Sequence, residues 1–234
     1  MAKNKKRKNT KTNKAPMKFL VIVTALLVVV MAALLFVVNS NGGSNSASTH
    51  EDRPPIDDLA TYGNDDPAVS IVEFGDYKCP ACGTWDREVF DQLESDYLDH
   101  EDISFSFVNF IGFQNESLIA SLASQKIYHE ASEDQFWDFH HALMQAAGVQ
   151  GSQVDIDFVV DIASEHAPDV DEDELRTSIT EQEYMDELYA EHELIEEFGV
   201  ERTPTIFVND VEVSDPFDYN EIERIIEEQL EENS

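Results

Sequence analysis

The only two cysteines in the chain stand as Cys79-Pro80-Ala81-Cys82. Two thiols separated by two residues suit reversible disulfide exchange, because the ring they close is too short to staple distant segments and is readily reopened. If a helix starts at this point, Cys79 faces unpaired backbone N–H groups and the positive end of the helix dipole, which together favour a thiolate. Pro80 suits the first helical position, since it has no N–H to lose and its φ is preset. Cys82, one turn in, is then the more buried, resolving thiol. A zinc site would need two further ligands at finger-like spacing, which the sequence lacks.

The elements that must hold this pair can be read around it. AVSIVEF (68–74) is β-rich and apolar on both faces, as expected of a buried central strand. After the loop 75–78, Cys82, Trp85, Val89, Phe90, Leu93 and Tyr97 recur at helical spacing. Trp85 and Phe74 read as core, and Lys78 as an exposed charge of little effect on the thiolate. ISFSFVNF (103–110) alternates as a second strand. The pattern is then helical from about 114 to 198. Ser132-x-x-Gln135 and Thr180-x-x-Glu183 are capping-box patterns, and Gly199 suits a helix end. His140-His141 sits on a patterned helix, half core and half surface. TIFV (205–208) and VEV (211–213) flank Asn209-Asp210 as a hairpin, and a helix with Ile222, Ile225, Ile226 and Leu230 on one face follows. Asp169, Asp171 and Asp173 begin like a calcium loop, but Glu174 replaces the required glycine, so an EF-hand is excluded.

Composition divides the 234 residues into unlike parts. The formal net charge is −34, yet eight of the 15 lysines and arginines fall in residues 1–18, before the first acid at Glu51. The uncharged run 19–38 is long enough, at about 1.5 Å per residue, to cross roughly 30 Å of hydrocarbon. It is longer than a signal-peptide core of about 7–15 residues. These features predict a basic cytoplasmic segment (1–18), a transmembrane signal-anchor (19–38), a flexible linker (39–60) and one extracytoplasmic α/β domain (61–234) in a single-pass membrane protein, with cleavage around Ser46-Ala47-Ser48 as the alternative to an uncleaved anchor. The acidic excess argues against nucleic-acid binding and suits a saline exterior, where counterions screen self-repulsion.

GDYKCPAC following VEF, together with GVERTPTIFVND, resembles the DsbA-like branch of the thioredoxin superfamily. The resemblance extends over about residues 61–232, and the membrane-anchored, Gram-positive BdbD-type branch is the most similar. It implies a thioredoxin-like fold with a helical insertion between the second strand and a cis-proline loop. It further implies that Pro204 is cis and lies beside the sulfurs, and that Thr203 presents backbone to an extended substrate. Glu73 would be the buried carboxylate beneath the pair that exchanges a proton with Cys82. Pro80 and Ala81 are the tuning dipeptide; the best-known oxidants carry Pro-His, and Ala81 has no side chain to hold a thiolate. The implied activity is disulfide formation in exported proteins, with reoxidation by a quinone-coupled DsbB-like membrane oxidase, no metal, and no cofactor beyond the redox pair. The alternatives are a reductase or isomerase at the same site, or a tethered, non-catalytic peptide-binding module.

Overall fold

The computed structural model describes residues 47–64, 66–98 and 102–233. The basic segment, the expected membrane span and the first part of the linker, to residue 46, lie outside the described residues. Among those described, no helix is long and apolar enough to cross a membrane.

Six strands form one mixed sheet: β1 (Ser48–Thr49), β2 (Ala60–Gly63), β3 (Val69–Gly75), β4 (Ile103–Asn109), β5 (Thr205–Val208) and β6 (Val211–Glu212), in the order β1-β6-β5-β3-β4-β2. β3 runs parallel to β4 with Glu73 opposite Phe107, and antiparallel to β5 with Glu73 opposite Ile206. Both central strands, β3 and β4, are buried throughout, which explains why β3 is a continuous apolar run rather than an alternating one. Asn209, in the left-handed region at φ 50°, turns β5 into β6 as its residue type permits.

The linker expected over 39–60 is corrected by its second half. Ser48 and Thr49 pair with β6, while Ile56 and Leu59 are buried against the sheet. The apolar side chains in this polar stretch are too sparse to set a period, but each finds a place in the core.

Helix α1 starts at Pro80 and runs through four successive segments, Pro80–Trp85, Asp86–Phe90, Asp91–Leu93 and Glu94–Leu98, the second and fourth wound as π turns. Five helices separate β4 from β5: α2 (Asn115–Glu130), α3 (Glu133–Ala147), α4 (Ile156–His166), α5 (Glu172–Glu181) and α6 (Met185–Glu197). The last helix, α7, is Tyr219–Glu232. The expected cap at Ser132 is present, its side chain accepting from Gln135 N–H. The one at Thr180 is not. Thr180 lies inside α5 and bonds the Arg176 carbonyl, Gln182 ends that helix at φ 56°, and α6 starts without a side-chain cap. Asp171 caps α5 through Asp173 and Glu174 N–H, which gives this aspartate a helix-start role. At Gly199 (φ 64°) the chain leaves α6 with Val200 N–H on the Ile195 carbonyl and Gly199 N–H on that of Glu196, the paired closure that a left-handed glycine permits.

Two apolar layers sandwich the sheet. Ile71, Phe105, Phe107 and Ile206 face α1, α3 and α7, whereas Val72, Phe74, Val108 and Phe207 face Ile195 and Phe198. The insertion is fastened to the sheet by a buried carboxylate on α6. Glu191 accepts from Asn109 N–H (2.7 Å), Asn109 Nδ2 (3.1 Å) and Gln125 Nε2 (2.6 Å). Burial outweighs these three donors and pushes Glu191 up to about 7.

Candidate active site

The sheet's strand alternation and the start of α1 bring the sequence-predicted residues together. Cys79 caps α1 in an extended conformation with Pro80 next, so the backbone N–H groups of Ala81 and Cys82 are free to face its sulfur. Asp76 shapes the loop before it, accepting from Lys78 N–H (2.8 Å), Gly112 N–H (2.7 Å) and Ser117 Oγ (2.9 Å). Across the site, the Thr203–Pro204 bond is cis, and Cys79 Sγ lies 3.6 Å from the Thr203 carbonyl oxygen. Both cysteines are free thiols, Cys82 with no exposed surface and Cys79 with 8%.

The two sulfurs have opposite proton affinities. Cys79 is lowered from 9.0 to about 5, first by the hydrogen bond from the Cys82 thiol, then by the Thr203 side chain and the N–H groups of Cys82 and Ala81; burial opposes them but loses. Ala81 thus contributes backbone where a longer residue could add a side chain. Cys82 moves far upward because it is buried, and because it already donates to Cys79 and faces Glu73. Lys78 is not the exposed charge its residue type suggests. It is buried, with its ammonium on the carbonyl and Oγ of Ser152 and 3.7 Å from Glu116.

Glu73 shares the face of β3 occupied by Ile71, which places its side chain on the α1 side of the sheet. It is 2% exposed, and Oε1 has no hydrogen-bond partner. Burial raises its proton affinity strongly, and the nearby charges of Asp86 and Cys79 raise it further. Gly75 leaves the room this carboxyl fills. A Cβ there would stand 2.7 Å from Glu73 Oε1 and 2.4 Å from Phe107 Cε2. Gly75→Ala is therefore expected to destabilise the fold by about 1–3 kcal/mol through overpacking, read as a lower midpoint in urea with an unchanged slope.

Sequence reasoning missed the support on the far side of α1. Asp86, one turn beyond Cys82, is buried between His141 and Gln145 of α3. Gly83 and Gly148 let these helices approach closely: a Cβ at Gly83 would stand 2.8 Å from the Met144 carbonyl, and one at Gly148 3.3 Å from Gly83 Cα. Trp85, as expected, is core, stacked on Phe105 with Nε1 bonded to the Pro216 carbonyl.

The family model described as thioredoxin matches residues 57–228. Disulfide bond formation protein D of Bacillus subtilis (strain 168) is 32% identical over 179 residues, 76% of this chain and 80% of that protein. The chain belongs to the thioredoxin family. Within it, this is a DsbA-like thiol–disulfide oxidoreductase. The crystal structure of oxidised BdbD from Bacillus subtilis superposes with a TM-score of 0.74 at 31% identity, covering 80% of this chain and 99% of that one. DsbA of Chlamydia trachomatis shares the thioredoxin-like fold at TM-score 0.65 and 19% identity, over 81% and 95% of the two chains. β3, α1, β4, the five helices α2–α6 and the β5–β6 hairpin all fall within the residues that the thioredoxin model matches.

Proposed function

We propose that this oxidoreductase introduces disulfides into exported proteins through Cys79 and Cys82, held outside the cell by the 19–38 anchor. A substrate thiolate attacks Cys79 Sγ of the oxidised pair. The Cys79–Cys82 bond breaks, a mixed disulfide forms, and Cys82 leaves as a thiolate. A buried thiolate is costly, and Glu73, kept protonated by burial, is the acid that supplies its proton. The substrate's second thiolate then attacks its own sulfur in the mixed disulfide and expels Cys79. The observation that carries this direction is the acidity of Cys79, about 5, because a thiol of low pKa is the better leaving group. Thr203 and cis-Pro204, beside that sulfur, offer backbone to an extended substrate. On reoxidation, two electrons pass from the Cys79 thiolate and the Cys82 thiol to a DsbB-like quinone-coupled oxidase, and the proton of Cys82 returns to Glu73. The acidic surface suits a saline exterior.

Equilibration of the pair with glutathione tests the direction. The expected potential is less negative than roughly −220 mV, the upper end of a cytosolic glutathione pool. A value near that of thioredoxin, about −270 mV, would make the protein a reductant and overturn the proposal.

A further inference from the structure

The loop from Gly148 to Val154, between α3 and α4, lies against the start of α1. A Cβ on Gly148 would stand 3.2 Å from the Cys79 carbonyl oxygen, so the glycine brings the loop up to the reactive residue itself. Val149 comes next and is 57% exposed, with Gln150, Gly151 and Gln153 exposed beside it. Two side chains hold the loop from beneath. The Lys78 ammonium donates to the Ser152 carbonyl and, at 2.7 Å, to Ser152 Oγ, which donates in turn to the Ala147 carbonyl at 2.6 Å. Glu116 of α2, 3.7 Å from Lys78 Nζ, accepts from Val154 N–H at 2.8 Å. Lysine is seldom buried without a partner, and this one, adjacent to Cys79 in sequence, turns its charge to the loop.

The loop also stands apart in charge. Residues 139–154 contain no Asp or Glu, the longest such stretch after Glu51 in a chain with 49 acids, and Glu116, which touches it, is paired with Lys78. A substrate attacks as a thiolate, and a bare acid within a Debye length of its path, about 8 Å, repels it. An uncharged, partly apolar wall does not.

We propose that the Gly148–Gln153 loop is the wall of the active site against which a substrate settles. Val149 selects an apolar residue near the substrate's cysteine, and Lys78 is a positioning residue that latches the wall beside Cys79. The proposal rests on the reading of Cys79 as the sulfur that the substrate attacks. Val149 is one Cα step of about 3.8 Å beyond Gly148, and each residue of an extended substrate spans roughly 3.3–3.6 Å. A chain joined to Cys79 Sγ therefore carries the residues flanking its own cysteine past Val149. A wall already fixed by Lys78 and Glu116 loses little freedom when the substrate arrives, which keeps the apolar contact effective.

The test compares disulfide transfer from the oxidised protein to two reduced two-cysteine peptides, one with leucine and one with serine at the positions flanking the attacking cysteine. The parent should favour the leucine peptide roughly tenfold in kcat/KM, the scale of one apolar contact. Val149→Ser, at an exposed position, should bring that ratio close to one, with the loss falling on KM rather than kcat. Lys78→Met, which keeps the stem but no donor, should lower the ratio too. The double variant should match Val149→Ser alone, since Lys78 acts through the loop. Cys79 in reduced Lys78→Met should still titrate near 5, as a latch requires and a charge acting on the thiolate would not allow. A parent ratio near one, or a ratio unchanged by Val149→Ser, overturns the proposal. A ratio that survives Lys78→Met, or a displaced Cys79 transition in that variant, overturns the latch. Transfer to both peptides by Cys79→Ser would instead remove the underlying reading of Cys79.

Discussion

Cys79→Ser should bring disulfide transfer down to background, whereas Cys82→Ser should accumulate enzyme–substrate mixed disulfides. The difference follows from where the two sulfurs stand. Cys79 is the sulfur with some exposed surface, beside Thr203, and is the more acidic by far. Cys82, with no exposed surface, cannot meet a substrate directly; its part is to reclaim Cys79 from a mixed disulfide. Without it, an adduct formed when the Cys79 thiolate attacks a substrate disulfide can be released only by a thiol of the substrate itself, so it persists. Non-reducing gels of each variant incubated with a disulfide-containing protein, whose disulfide the Cys79 thiolate attacks while the second sulfur leaves as a thiolate, would separate the two outcomes. Transfer by Cys79→Ser at the parent rate would refute the route.

The second large effect is on stability. Because the folded thiol of Cys79 titrates near 5 against 9.0 for the ordinary group, its ionisation stabilises the reduced fold. For a depressed acid this contribution is complete above the unfolded value, 9.0, and is lost as pH falls through 5. At pH 7 it amounts to about 3 kcal/mol, and at pH 4 it has gone. The oxidised protein has no such thiol, though its four-residue ring restricts the unfolded chain by about 2 kcal/mol. The reduced form should therefore gain on the oxidised one by about 3 kcal/mol between pH 4 and pH 7, roughly 6–12 °C in relative melting temperature for a chain of this size. Calorimetry of both forms at the two pH values would measure it. A difference independent of pH would contradict the acidity of Cys79.

Much of the site was legible because it is local. Cys79 to Cys82 is one turn, Pro80 marks the helix start, and the run before Gly75 could only be a central strand. The Asn209-Asp210 turn and the Ser132 cap were equally local and equally clear. The remainder depends on distant partners. β1 and β2 are short edge strands of two and four residues, with no apolar run to announce them, and Ile56 and Leu59 show their purpose only against the sheet. Thr180 looked like a cap because its spacing to Glu183 matched, but Gln182 took the left-handed conformation and moved the boundary. Asp86 was one acid among 49. Its burial comes from His141 and Gln145, more than fifty residues away, and nothing in the local pattern signals that meeting. The burial of Lys78 likewise depends on Ser152.

The most direct measurement is the absorbance near 240 nm of the reduced protein titrated from pH 3 to 10, with Cys79→Ser as the control. A single thiolate transition centred at about 5, absent from the control, is the expected result. A transition near 9, or one that survives in Cys79→Ser, would contradict a Cys79 thiolate stabilised by Cys82 and the start of α1.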